Sequence, residues 1–288
     1  MSDRPACPLP DVDDSHGKES RGSVLVVGGS AEIPGAVLLA GTAALRAGAG
    51  KLQLASVRSV APLLAVAMPE ARVFPLPEAA EGEIAELSPA LMQAAAEADA
   101  IIIGPGCEPT TQWWSDVRLL VSAANGVVVM DAGALGAIKD DHQATGRCIL
   151  TPHAGEMAAI TGLSLQQVQH DPLTIATQYS RKTRCIVVLK GATTHVVGPD
   201  GSSWQHAGGS IALGTSGSGD VLAGLIGGLA ARGASPVAAA QWGVYLHGMA
   251  GSRFEQQVGE VGLLARELPA MIPPLLRELA GNRGSHEP

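Results

Sequence analysis

Short apolar runs rich in β-branched residues recur along this chain, and each stops at glycine or at a polar side chain. Ser23–Val27 ends at Gly28-Gly29-Ser30, Ala100–Ile103 at Gly104-Pro105-Gly106, and Val127–Met130 at Asp131. Cys148–Leu150 ends at Thr151-Pro152-His153, and 185–189 at Lys190-Gly191; residues 51–55 form a further short run. Helical patterns lie between them. Residues 34–46 carry Pro34 in place for a first turn and Gly48 near the end, and 90–98 read likewise. Strands of four or five apolar residues need cover on both faces. Their alternation with helices therefore predicts a three-layer α/β fold with a mostly parallel central sheet and helices on both sides. After Lys190 the rhythm changes. Thr194–Val197 and 203–205, joined across Gly198-Pro-Asp-Gly201, predict an antiparallel hairpin at the sheet edge. Helices are expected over 220–232, 236–254 and around 269–279.

Apolar residues make up 46% of the 288, but aromatics only 3%, so the core must be built from Ala, Val, Leu and Ile against close backbone. The 36 glycines follow no three-residue period, which excludes collagen and fits many tight strand-to-helix turns. No repeat or linker divides the chain. Residues 21–280 are read as a single α/β catalytic domain, 1–20 as a mobile polar arm, and 281–288 as a tail. A formal charge of −8 and a pI near 5.4 argue against nucleic acid as a partner. The longest apolar stretch, 221–231, is too short to span a bilayer, and the acidic N-terminus has no signal-peptide core. Cys7, Cys107, Cys148 and Cys185 show neither C-x-x-C nor zinc spacing. Together these point to a cytoplasmic chain with ordinary thiols.

Open parallel sheets bind ligands at the carboxyl ends of their strands, and the chemistry of this sequence is concentrated there. The strongest segment is Gly214-Thr-Ser-Gly-Ser-Gly-Asp220 ahead of an apolar helix. Free N–H groups at such a helix start bind anions. Asp220 beside them reads either as a first-turn residue that stabilises the helix or as a general base aimed at a hydroxyl in phosphoryl transfer. His153 with Glu156 reads as a ligand pair or as a capping box. Lys190 with Thr194 is either a solvated strand end or a hold on nucleotide phosphates. His247 reads as a packed polar residue, and Trp113-Trp114 as core or subunit contact. Two nucleotide signatures fail: residues 28–35 lack the G-x-G-x-x-G spacing, and Gly50-Lys51 has Leu45 and Leu52 where a P-loop needs Gly and Ser or Thr.

Seven ordered motifs carry a resemblance: Val-Val-Gly-Gly-Ser at 26–30, Ala-Leu-Arg-Ala-Gly-Ala-Gly-Lys at 44–51, Ile-Gly-Pro-Gly at 103–106, Met-Asp-Ala-Gly-Ala-Leu at 130–135, Leu-Thr-Pro-His-Ala-Gly-Glu at 150–156, Val-Leu-Lys-Gly at 188–191, and Gly-Ser-Gly-Asp-Val-Leu-Ala-Gly at 217–224. Over about 22–279 the chain resembles the ADP-dependent NAD(P)H-hydrate dehydratases, which have a ribokinase-like fold. The resemblance implies repair of NADH or NADPH hydrated at C6 (NADHX, NADPHX). ADP would phosphorylate that hydroxyl, and phosphate would then be eliminated. It implies Asp220 as the base; Gly217, Ser218 and Gly219 around the transferred phosphoryl; and Lys190, Gly191, Ala192, Thr193 and Thr194 against the adenine nucleotide. Ala36, Gly106 and His153 would line the hydrate site, with Asp131 nearby. Mg²⁺ is expected with the phosphates, though no motif assigns its ligands. A homotetramer is also implied, and a separate epimerase or spontaneous epimerisation would serve the other epimer, since the length leaves no room for a fused epimerase domain.

Ser216 departs from the family pattern, which has glycine there; a φ above zero at that position would strain it. Two other readings of the residues compete. One is a ribokinase-like kinase of a small alcohol of the hydroxymethylpyrimidine, thiazole or pyridoxal type, and the other is an idle adenine-nucleotide sensor.

Overall fold

The computed structural model describes residues 4–10, 17–138 and 146–281. The first half of the chain alternates β1 (Ser23–Val27), α1 (Gly35–Arg46), β2 (Lys51–Val57), α2 (Ala61–Ala67), β3 (Ala71–Leu76), α3 (Pro89–Glu97), β4 (Ala100–Ile103), α4 (Thr111–Ala123) and β5 (Val127–Met130). The second half continues with β6 (Cys148–Leu150), α5 (Ala154–Thr161), α6 (Leu165–His170), α7 (Pro172–Thr183) and β7 (Ile186–Leu189). It closes with β8 (Thr194–Val197), β9 (Ser203–His206), α8 (Ser218–Ala231), α9 (Pro236–Gln257) and α10 (Leu268–Gly281).

The nine strands form one sheet in the order β3-β2-β1-β4-β5-β6-β7-β8-β9. All pairs up to β6–β7 are parallel, and β7–β8 and β8–β9 are antiparallel, which is the expected edge hairpin. Strands β4 and β7 are buried at every residue, as two-sided cover requires. Helices α1, α8, α9 and α10 pack together as one layer, and α3 to α7 serve the opposite face. Strand order reverses between β1 and β4, the switch point where such sheets open a crevice.

Strand β3 was not expected from sequence. It alternates in burial and contains Pro75, a residue a sheet tolerates at its edge, where β3 lies. The reading of 1–20 as a mobile arm needs correction for 4–10. Leu9 is 5% exposed within the core, and Trp242 Nε1 donates to the Cys7 carbonyl at 3.0 Å. Arg4 stacks over the Trp242 ring, and Arg232 donates to the Pro10 carbonyl at 2.9 Å. The rest of that arm, apart from 17–20, and the tail beyond Gly281 lie outside the described residues. All four cysteines are free thiols. Among the described residues no helix is long and apolar enough to cross a membrane.

Helix α1 packs against α8, and small residues set their separation. A Cβ added at Gly224 would fall on the Ala40 carbonyl oxygen and 2.7 Å from the Ala43 Cβ. Gly224→Val should therefore destabilise the chain by about 3 kcal/mol, the upper end of ordinary overpacking. Gly35→Ala, where nothing lies within 4 Å, should stay within about 0.5 kcal/mol. Urea unfolding of the two variants beside the parent checks both.

Candidate active site

Three neighbouring parallel strands place three polar side chains in a row at their carboxyl ends. Asp131 follows β5, Thr151 follows β6 and Lys190 follows β7. Asp131 is only 3% exposed, so its carboxylate must be satisfied internally. Thr151 Oγ1 donates to its Oδ1 at 2.6 Å, and Lys190 Nζ donates to the same oxygen at 3.0 Å. Glu156 Oε2 stands 3.8 Å from Lys190 Nζ. Burial alone would lower the Lys190 ammonium. The carboxylates of Asp131, Glu156 and Asp220 outweigh it and hold Lys190 above its ordinary value.

His153 and Glu156 do form a capping box at the start of α5. His153 Nδ1 accepts from the N–H groups of Gly155 and Glu156 at 3.0 and 3.2 Å, while Glu156 Oε2 accepts from His153 N at 2.7 Å. Capping does not exclude a ligand role, because 60% of the His153 side chain remains exposed.

Helix α8 begins two residues earlier than its apolar pattern suggests. Gly217 takes φ +87° as its N-cap and brings no side chain to cap the first turn, so the N–H groups there stay available to an anion. The positive φ that Ser216 would resist is thus carried by Gly217. Among the described residues the non-glycine positions with positive φ are Ala132 and Arg184, so Ser216 is not strained. Ala132, at φ +46°, directly follows Asp131, and strained backbone of this kind concentrates at functional sites.

Asp220 sits in the same first turn of α8. Burial raises its carboxyl, Asp131 and Glu156 raise it further and Lys190 draws it down, leaving it at about 7. A Cβ on Gly219 would lie 3.2 Å from Lys190 Nζ and 3.8 Å from Asp131 Oδ2, so the helix start abuts the charged row. His247 on α9 reaches the same turn. Its Nε2 is 3.0 Å from the Ser218 carbonyl oxygen and 2.9 Å from Ser218 Oγ, and burial lowers its pKa to about 4.

A cavity of about 550 Å³ opens from this cluster. His153, Lys190, Gly191, Ala192, Thr194, Ser218 and Gly219 line it, which brings His153, implied for the hydrate, together with residues implied for the nucleotide. Thr193 faces a different recess, on the other side of the 191–194 turn. Gly217 faces Leu39 and Ala265 instead. Ala36 and Gly106 meet each other at the β1–β4 crevice, where a Cβ on Gly106 would stand 3.0 Å from the Ala36 Cβ; neither lines the cavity. The sequence reading missed the opposite wall of the cavity, made by Ile211, Leu213, Thr215, Leu222 and Val244. The glycine pair at 208–209 was the available signal of a loop there.

A family described as NAD(P)H-hydrate dehydratase matches residues 24–274. The chain belongs to this family. An ADP-dependent (S)-NAD(P)H-hydrate dehydratase of Xanthomonas campestris pv. campestris is 51% identical over 263 residues, 91% of this chain and 90% of that one. A crystal structure of ADP/ATP-dependent NAD(P)H-hydrate dehydratase from Bacillus subtilis, co-crystallised with ATP/Mg²⁺, gives a TM-score of 0.81 at 32% identity, covering 94% of each chain. Ribokinase from Thermotoga maritima, at 15% identity, shares the fold alone, with a TM-score of 0.57 over 89% of this chain and 99% of its own. The dehydratase family thus has a ribokinase-like α/β architecture, and the small-alcohol kinase reading is not favoured.

Among the described residues no three His, Cys, Asp or Glu side chains converge as a metal cage. Asp131 and Glu156 nevertheless offer hard carboxylate oxygens next to Lys190, which lines the cavity. That donor set fits Mg²⁺, which takes one or two carboxylates when substrate phosphates and water complete its shell.

Proposed function

We propose that this chain is an ADP-dependent (S)-NAD(P)H-hydrate dehydratase, with the cavity holding the nucleotide and Asp220 serving as the base. The observation that carries the reading is the Asp220 carboxyl, raised to about 7 in the first turn of a helix whose N-terminus is open to an anion. A group with that pKa is suited to accept a proton near neutrality. Ionised Asp220 takes the proton of the C6 hydroxyl as that oxygen attacks the terminal phosphorus of ADP, and AMP leaves. The N1 lone pair of the ring then expels phosphate by breaking the C6–O bond, and loss of a C5 proton forms the C5–C6 double bond. Hydroxide would leave far less readily, which explains the use of a nucleotide in a dehydration.

Gly217, Ser218 and Gly219 would direct N–H groups at the transferred phosphoryl. Lys190, Gly191, Ala192 and Thr194 would border the nucleotide, with Thr193 contributing backbone. Ile211, Leu213, Leu222 and Val244 supply apolar surface for the base. Ala36 and Gly106 at the β1–β4 crevice would hold the hydrate together with His153 at the rim of the cavity, with Asp131 anchoring Lys190 behind the reacting groups. Mg²⁺ would be held by Asp131 and Glu156 with the phosphates and would neutralise their charge. We place the enzyme in the cytoplasm as a homotetramer, the other epimer reaching it through a separate epimerase or by spontaneous epimerisation.

Hydrated NADH, ADP and Mg²⁺ should restore the near-ultraviolet absorbance of NADH; no recovery with ADP or ATP would overturn the reading. The pH profile follows from the same carboxyl. Only the ionised form accepts a proton, so kcat/KM should fall about tenfold per pH unit below about 7. A profile flat down to pH 5 would remove Asp220 from that role.

A further inference from the structure

His247 is half-buried on α9 and takes no part in the chemistry described above, yet it touches the helix start that would bind phosphate. The Ser218 carbonyl oxygen can only accept, so Nε2 of His247 must carry the proton that it shares between that oxygen and Ser218 Oγ. The ring is neutral at working pH, since burial holds its pKa near 4, and the contact with the Ser218 carbonyl selects the Nε2–H tautomer. Two consequences follow for the cavity that both residues line. Ser218 Oγ accepts from the imidazole, which leaves its own hydrogen to donate outward. The peptide plane between Ser218 and Gly219 is also pinned at its oxygen, and in a trans peptide this points the Gly219 N–H the opposite way.

We propose that His247 is a positioning residue that makes Ser218 and Gly219 a fixed pair of donors toward the nucleotide's phosphates. This rests on the reading of the cavity as a nucleotide site, and its effect belongs to the phosphates rather than to the nucleoside. A neighbour that only filled space would support both parts of the ligand equally.

Titration calorimetry with ADP and with adenosine separates the two. His247→Leu should weaken ADP about tenfold, the value of one hydrogen bond to a charged group, and leave adenosine unchanged. His247→Gln, whose amide can donate from nearly the Nε2 position, should restore ADP binding to within about threefold of the parent. In a Ser218→Ala background the loss from His247→Leu should shrink, because part of it acts through that hydroxyl. Equal losses for ADP and adenosine, unchanged ADP binding in His247→Leu, or a Gln variant no better than Leu would each overturn the proposal. A parent that binds ADP but does not repair hydrated NADH would overturn the dehydratase reading and leave this test intact. A parent that binds no ADP would overturn both.

Discussion

Asp220→Asn should lower ADP-dependent recovery of NADH by about 10³-fold, within the range general base catalysis contributes, and leave ADP bound. The amide fills nearly the same space and cannot accept the hydroxyl proton. It also removes a negative charge beside an anion site, so ADP affinity should hold or rise. Stability should move in the opposite direction to activity. A carboxyl raised from its ordinary value of about 3.8 to about 7 favours the protonated fold. Its ionisation therefore costs stability, a cost absent below about pH 4, growing between 4 and 7, and complete above 7. Asp220→Asn escapes that cost, so it should melt above the parent at pH 8, with the gap closing towards pH 4. Thermal melts at the two pH values, with turnover and calorimetry at pH 8, check the set. Turnover within threefold of the parent would sink Asp220 as the base, and loss of ADP binding would show that the substitution had disturbed the loop instead. The idle-sensor reading makes a different forecast, no turnover in the parent itself.

The elements legible in the sequence were those whose burial is two-sided. β1, β4, β5, β6 and β7 announce themselves as short apolar runs, and the polar residues that end them give the site's row of Asp131, Thr151 and Lys190. β3 hid because an edge strand half open to solvent, with Pro75 in it, loses that signature. Residues 4–10 hid because their ties to Trp242 and Arg232 span more than two hundred residues of sequence, and no local pattern encodes such contacts. The site divides in the same way. Asp220, Lys190 and His153 stand at strand ends or helix starts, where position along the chain implies position on the rim. The far wall of the cavity comes from a loop and two helices whose apolar side chains look like ordinary core. His247 read as a packed polar residue, and it is one; only the three-dimensional contact with Ser218 distinguishes it from a histidine that merely fills space.

Lys190→Met tests whether the charged row sets the pKa of Asp220. Lys190 stands among three carboxylates that act on it, and it draws Asp220 down against Asp131 and Glu156. Its loss should carry Asp220 above about 7, so the acid limb of kcat/KM should move to higher pH and activity at neutrality should drop. The same change leaves Asp131 buried with Thr151 as its remaining partner at 2.6 Å, and breaking a buried ion pair from one side costs about 3–5 kcal/mol. Activity and stability should therefore fall together, which by itself would not distinguish electrostatics from general damage. Adding Asp131→Asn does so. The double variant has no stranded carboxylate, so stability should recover in large part. Asp220 then loses one attracting and one repelling neighbour, and the limb should return towards the parent's value. A limb that stays at about 7 in Lys190→Met, or a double variant less stable than the single, would mean that the row does not govern Asp220. In that case burial alone, the largest cause of its shift, would be what raises the base to the pH at which it works.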